Sequence, residues 1–120
     1  MSSLLNTPEL LRYHLYRKET DMRNGRNGLS GLVKNELGKN ITDGDAFIFI
    51  NRPRNTLKML LWEMGGFTMV YRRLDPGAFE IPAFNLDAKS MEITADQLRF
   101  ILNGIVLKTV RYRKRYPRKP

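Results

Sequence analysis

Between Ala46 and Ile81 apolar runs alternate with turn segments too short to carry a crossover, and this pattern fixes most of what the chain can fold into. Ala46-Phe47-Ile48-Phe49-Ile50 is continuously apolar and follows the turn signal Asp43-Gly44-Asp45, which predicts a buried strand. Asn51-Arg52-Pro53-Arg54-Asn55 predicts a turn with two exposed arginines. Thr56 to Glu63 reads as the next strand, Gly65-Gly66 as a turn, and Phe67 to Leu74 as the strand after it. Asp75-Pro76-Gly77 then turns the chain into a short last strand, Phe79-Glu80-Ile81. Parallel neighbours need a connection of about a dozen residues or more, so linkers this short predict antiparallel hairpins. The expected centre is an antiparallel β-meander.

The flanks supply the rest. Leu11 to Tyr16 predicts a first strand, with Tyr13 and Leu15 on one face and a packed His14 with Tyr16 on the other. Thr20 and Asp21 carry oxygens suited to capping a helix over Met22 to Leu37, with Gly38 as its stop. Met22, Leu29, Leu32, Val33 and Leu37 give that helix an apolar stripe. Its first half is poor helix, since Asn24, Gly25, Asn27, Gly28 and Gly31 all cost free energy relative to alanine, so tertiary packing must hold it. Residues 83–92 read as a polar loop. Thr94, three residues before Gln97, is a capping-box signal for a helix reaching Asn103 and ending at Gly104, with Leu98, Ile101, Leu102 and Ile105 as its apolar face. The expected fold class is α+β: a central antiparallel β-meander with two helices packed on it. Residues 1–107 form a single domain in this reading, and residues 108–120 a basic tail.

A chain of 120 residues with 42% hydrophobic side chains can bury roughly two thirds of its unfolded surface. The absence of cysteine excludes disulfides, thiolate metal sites and cysteine nucleophiles. His14 is the sole histidine and cannot alone build a histidine metal site. No apolar run approaches the ~18 residues of a membrane span, and Met1-Ser2-Ser3-Leu4-Leu5 lacks the features of a secretory signal, so a cytoplasmic protein without membrane contact is expected. The glycine-rich stretch Gly25 to Gly31 lacks the Gly-Lys-Ser/Thr ending of a nucleotide loop. Asp43, Asp45, Glu63 and Asp75 are the carboxylates a two-metal nuclease would gather. Asp-Gly-Asp is ordinary turn chemistry, however, and no Ser-His or lysine dyad accompanies it. The expectation is therefore no catalytic residue, no metal and no cofactor.

Charge points elsewhere. The net charge is +9, and seven of the cations lie after Leu107 with no acid among them. The remaining body, with 14 basic and 12 acidic side chains, carries only +2. A nearly neutral body with a cationic tail suits a polyanionic partner, because phosphate neutralisation with counterion release needs no particular geometry. Arg111, Arg113, Lys114 and Arg115, interleaved with Tyr112 and Tyr116, are the tail candidates. In the body, Lys58 shares a strand face with Leu60 and Trp62, and either Arg72 or Arg73 must share a face with apolar neighbours. Arg23, at the first turn of the expected helix, opposes the helix dipole and needs a carboxylate or a phosphate. Candidate nucleic-acid-binding residues are thus Arg23, Arg52, Arg54, Lys58, Arg72, Arg73 and the four tail cations.

An ordered set of residues also carries a family resemblance. Thr20-Asp21-Met22-Arg23 is followed by Gly28-Leu29, Phe47-Ile48-Phe49 with Asn51-Arg52, and Leu57-Lys58 with Leu60 and Trp62. Gly66-Phe67, Tyr71-Arg72-Arg73-Leu74, Gly77 with Phe79 and Pro82, and the Thr94 to Leu102 helix complete it. From about Tyr13 to Ile105 the chain resembles the small TnpB (Orf2-like) proteins of the bacterial insertion-sequence family number sixty-six, which are unrelated to the RNA-guided nucleases sharing the TnpB name. Glu63, Arg26 and Ile81 depart from the usual pattern of aspartate, an apolar residue and an aromatic. The resemblance implies a role in transposition, beside a separate larger protein that carries strand transfer. Together with the cationic tail it leads to the expectation of a non-catalytic accessory protein whose partners are DNA at the element's ends, the other proteins of the insertion sequence with the transposase among them, or both. A protein–protein adaptor without DNA contact and a metal-dependent nuclease are the alternative readings.

Overall fold

The computed structural model describes residues 11–85 and 87–104. In chain order these form β1 (Tyr13–Tyr16), α1 (Arg26–Asn35), a 3-10 turn (Ile41–Asp43), β2 (Ala46–Ile50), β3 (Thr56–Glu63), β4 (Gly66–Arg73), β5 (Ser90–Ile93) and α2 (Ala95–Asn103). The strands make one five-stranded sheet in the order β4-β3-β2-β1-β5. β2, β3 and β4 are the expected antiparallel meander, with Phe49 opposite Lys58 and Trp62 opposite Phe67. The hairpin tip is Met64-Gly65, both with positive φ (53° and 76°), a turn that matches the twist of its strands.

Three features of the sheet depart from the expectation. β1 runs parallel to β2, so the sheet is mixed. The reason is the long segment between Tyr16 and Ala46, which holds α1 and supplies the crossover that parallel neighbours need. The second is β5. Ser90–Ile93, expected as part of a polar loop, pairs antiparallel with β1, Tyr13 opposite Ile93 and Tyr16 opposite Ser90. The anticipated strand Phe79–Ile81 is not one of the elements. Instead Phe79 donates its backbone N–H to Arg54 O (2.6 Å) and buries its ring.

The helices cover opposite faces. Leu29 and Val33 of α1 pack with Tyr16, Phe47, Phe49 and Leu60. Leu98 and Ile101 of α2, with Phe79, pack on Leu15, Ile48, Leu57, Met59 and Leu61. All five residues of β2 are buried, which is why its sequence is continuously apolar. His14 is buried too: it stacks on Phe47 (5.1 Å between centroids), and its Nε2 lies 2.8 Å from Asp45 Oδ2.

α2 starts as the sequence predicts, Thr94 accepting from Gln97 N–H and Gln97 Oε1 accepting from Thr94 N–H. Gly104 closes it with φ +67°, where an added Cβ would lie 2.3 Å from Leu74 Cδ1 and 3.0 Å from Ala78 O. α1 is shorter than predicted. Gly25, not Thr20 or Asp21, occupies its N-cap, without a side-chain hydrogen bond. The weak helix formers at 24 and 25 lie outside the helix, so propensity prevailed over the capping signal. α1 also ends two residues early, at Asn35 with Glu36 as C-cap, and the chain then turns through Gly38 at φ +65°, where Lys39 N–H reaches back to Val33 O (3.1 Å).

Candidate nucleic-acid interface

The sheet register sorts the charges. At one end β1, β2 and β4 finish while β3 and β5 begin. Arg17, Lys18, Arg52, Arg54, Arg73 and Lys89 lie there, in or beside loops that also carry Glu19, Asp75, Glu80 and Asp87. Backbone hydrogen bonds tie these loops together: Arg17 N–H to Lys89 O (2.9 Å), Leu74 N–H to Asn55 O (2.9 Å) and Phe79 N–H to Arg54 O. The opposite end carries Asp43, Asp45 and Glu63.

The β2–β3 loop is stapled by its own amides. Asn51 Oδ1 accepts from the backbone N–H of Asn55 (3.1 Å) and Thr56 (3.0 Å), and Asn51 Nδ2 donates to Asn55 Oδ1 (2.8 Å). Arg54 sits in this loop at φ 60°, an uncommon conformation outside glycine. Arg52 and Arg54 are exposed, and Arg52 reaches only distantly toward Glu19 (3.9 Å). Beside them a cavity of about 360 Å³ opens between the ends of β1 and β2 and the segment 81–84, with Arg17, Lys18, Glu19 and Arg54 on its lining. The carboxyl ends of adjacent parallel strands are where open α/β sheets hold ligands.

The other candidates are partly committed to structure. Lys58 Nζ donates to Met22 O (2.8 Å) and Asn24 O (2.9 Å), fastening the segment before α1 to the sheet. Arg72, on the α2 face, donates its Nε to Leu102 O (2.7 Å), a carbonyl in the last turn of α2 where a cation is favoured. Arg73, on the α1 face, donates to Thr56 Oγ1 (3.3 Å). Arg23 forms a fork-like pair with Asp21: its Nε lies 3.0–3.1 Å from both carboxylate oxygens, and its backbone N–H also donates to Oδ1 (2.9 Å). These hydrogen bonds hold the Asp21 carboxyl down at about 2 and push the Arg23 guanidinium pKa up. Asp21 thus serves a local turn, not the helix cap expected of it. Arg111, Arg113, Lys114 and Arg115 lie outside the described residues.

The nuclease carboxylates do not converge. Glu63 and Asp75 stand beyond opposite ends of β4, and Asp45 is paired with His14. Among the described residues no group of three or more metal-ligating side chains assembles. No helix among them is long and apolar enough to cross a membrane.

Three residues escaped the sequence reading. Arg26, noted only as a departure, is the first residue of α1 and lies over the Phe67 ring, 5.3 Å from its centroid. The sequence puts Phe67 and Tyr71 on a strand without marking the face on which they are 37% and 57% exposed. The alternation Phe67-x-Met69-x-Tyr71-x-Arg73 is the available signal, but alternation alone does not tell which face the helices leave exposed.

The described residues thus form an α+β unit with cations gathered at one sheet end and no group of three or more metal-ligating side chains. Residues 11–112 match the family described as IS66 Orf2 like protein, and the chain belongs to that family of insertion-sequence accessory proteins. It is 30% identical over 102 residues to the uncharacterized protein y4hO of Sinorhizobium fredii, covering 85% of this chain and 87% of the relative. No solved structure matches it.

Proposed function

We propose that this protein is a non-catalytic accessory factor of insertion-sequence transposition that binds DNA through the basic end of its sheet. The observation that carries the reading is the stapled loop holding Arg52 and Arg54 exposed beside Arg17, Lys18 and Arg73. A rigid loop presents guanidinium groups to phosphates without first losing conformational freedom. The tail cations Arg111, Arg113, Lys114 and Arg115 add charge that needs no fixed geometry. Strand transfer belongs to the transposase in this reading, and the protein works in the cytoplasm where the element's DNA lies.

The test is anisotropy titration of duplex DNA carrying the element's ends at several salt concentrations. Affinity falls steeply with salt, and Arg52→Glu and Arg54→Glu each reduce the slope of log K against log salt by about 1. A flat salt response, unaltered by these substitutions, would sink the proposal.

A second reading, an adaptor for the transposase, draws on Phe100 of α2, a large apolar side chain that is 62% exposed. An adaptor holds its partner after nuclease treatment and loses it in Phe100→Ser. A complex that nuclease dissolves leaves DNA as the link.

A further inference from the structure

We infer that the α1-side face of the β3–β4 hairpin is a stacking platform for single-stranded DNA. This deepens the DNA-binding reading and rests on it. Among the described residues α1 covers Phe47, Phe49 and Leu60 and meets β4 through Arg26 over the Phe67 ring, while Phe67, Met69 and Tyr71, in successive same-side positions of an edge strand, stay 37%, 37% and 57% exposed. Such positions repeat about every 6.7 Å along a strand, so Phe67 and Tyr71, two steps apart, set two rings about 13 Å apart on one track, with the Arg26 guanidinium over the Phe67 ring. Trp62 supports Phe67 edge-on, with ring centroids 5.0 Å apart. Every base has a π-face, so stacking of this kind accepts any sequence.

Charge decides the occupant. On this face β3 and β4 contribute Lys58 and Arg73 and no carboxylate. Glu63 lies on the other face, with its oxygen accepting from Thr68. Arg26 stands over the Phe67 end of the row and Arg73 follows the Tyr71 end. Neither arginine has a carboxylate partner among the described residues. A row of rings with a guanidinium at each end fits a strand whose bases lie flat while its phosphates meet cations. Arg73 also belongs to the basic end of the sheet, so the platform and the arginine loop are continuous. A duplex, whose bases are already stacked inside, gains nothing from the rings.

The test uses the full chain and a thymine homo-oligomer, following quenching of Trp62, the chain's single tryptophan. Phe67→Ala and Tyr71→Ala each weaken single-strand binding about tenfold or more, whereas Tyr71→Phe, which keeps the ring, does not. Duplex binding changes less than about twofold in all three, because phosphates carry it. Circular dichroism confirms that the variants fold. Single-strand binding insensitive to both alanine substitutions overturns the platform and leaves the duplex reading standing, whereas loss of all DNA binding in the wild type removes both. Tighter binding to an RNA strand of the same length overturns the assignment to DNA. Loss of a co-purified transposase in Tyr71→Ala, with oligomer binding unchanged, makes the face a protein interface and also overturns it.

Discussion

Lys58 looks like a ligand-binding cation in the sequence and a structural strut in the fold. Its ammonium holds two backbone carbonyls of the segment that leads into α1. Truncation leaves both without that donor, so Lys58→Ala is expected to cost about 1–3 kcal/mol in urea denaturation. A stability equal to wild type would mark the lysine as free for phosphate. Asp21 makes a complementary case. Its carboxyl, ordinarily near 3.8, is held at about 2, first by the side-chain and backbone hydrogen bonds from Arg23 and then by charge. A carboxyl depressed in the folded state adds stability that is fully present above its unfolded pKa. That contribution fades as pH falls from 3.8 toward about 2, and it is small because the pair is exposed. An NMR titration should place the Asp21 midpoint near 2, and Arg23→Ala should return it toward 3.8; a midpoint indifferent to Arg23 would refute the pairing.

Among the elements, those written by local rules were legible and those written by distant contacts were not. The meander from Ala46 to Arg73 followed from apolar runs and short linkers, and α2 from its capping box. Thr94→Ala should therefore cost about 1 kcal/mol in thermal or urea unfolding, the usual price of a lost cap. β5 was hidden because Ser90-Met91-Glu92-Ile93 has little strand character of its own and depends on the edge of β1. The start of α1 was misread because Thr20-Asp21 resembles a cap, while Asp21 in fact closes a turn with Arg23. The exposed side of β4 was invisible for a similar reason: which face a helix leaves bare is a tertiary fact. In the arginine loop, Asn51→Ala removes the acceptor for two backbone N–H groups and should cost about 1 kcal/mol or more. It should also weaken duplex binding without altering charge. Unchanged affinity in Asn51→Ala would show that loop rigidity has no part in recognition.

At the scale of the molecule, one sheet carries three distinct regions. Among the described residues its two faces pack against α1 and α2, one end gathers arginines and lysines, and its β4 margin keeps Phe67, Met69 and Tyr71 exposed. The candidate cations read from sequence divide accordingly. Arg52, Arg54 and Arg73 remain at the basic end, Lys58 and Arg72 fasten other elements, and Arg23 is paired with Asp21. Only the register, which no single strand contains, could divide them.

The most direct measurement is amide chemical-shift mapping of the full chain on titration with element-end DNA. The perturbed amides should cluster in residues 17–18, 52–55 and 73–75, and extend to 67–71 when the DNA is single-stranded, with the turn at 43–45 and α2 silent. Shifts confined to α2 or to the 43–45 turn, or no shifts at low salt, would contradict the account.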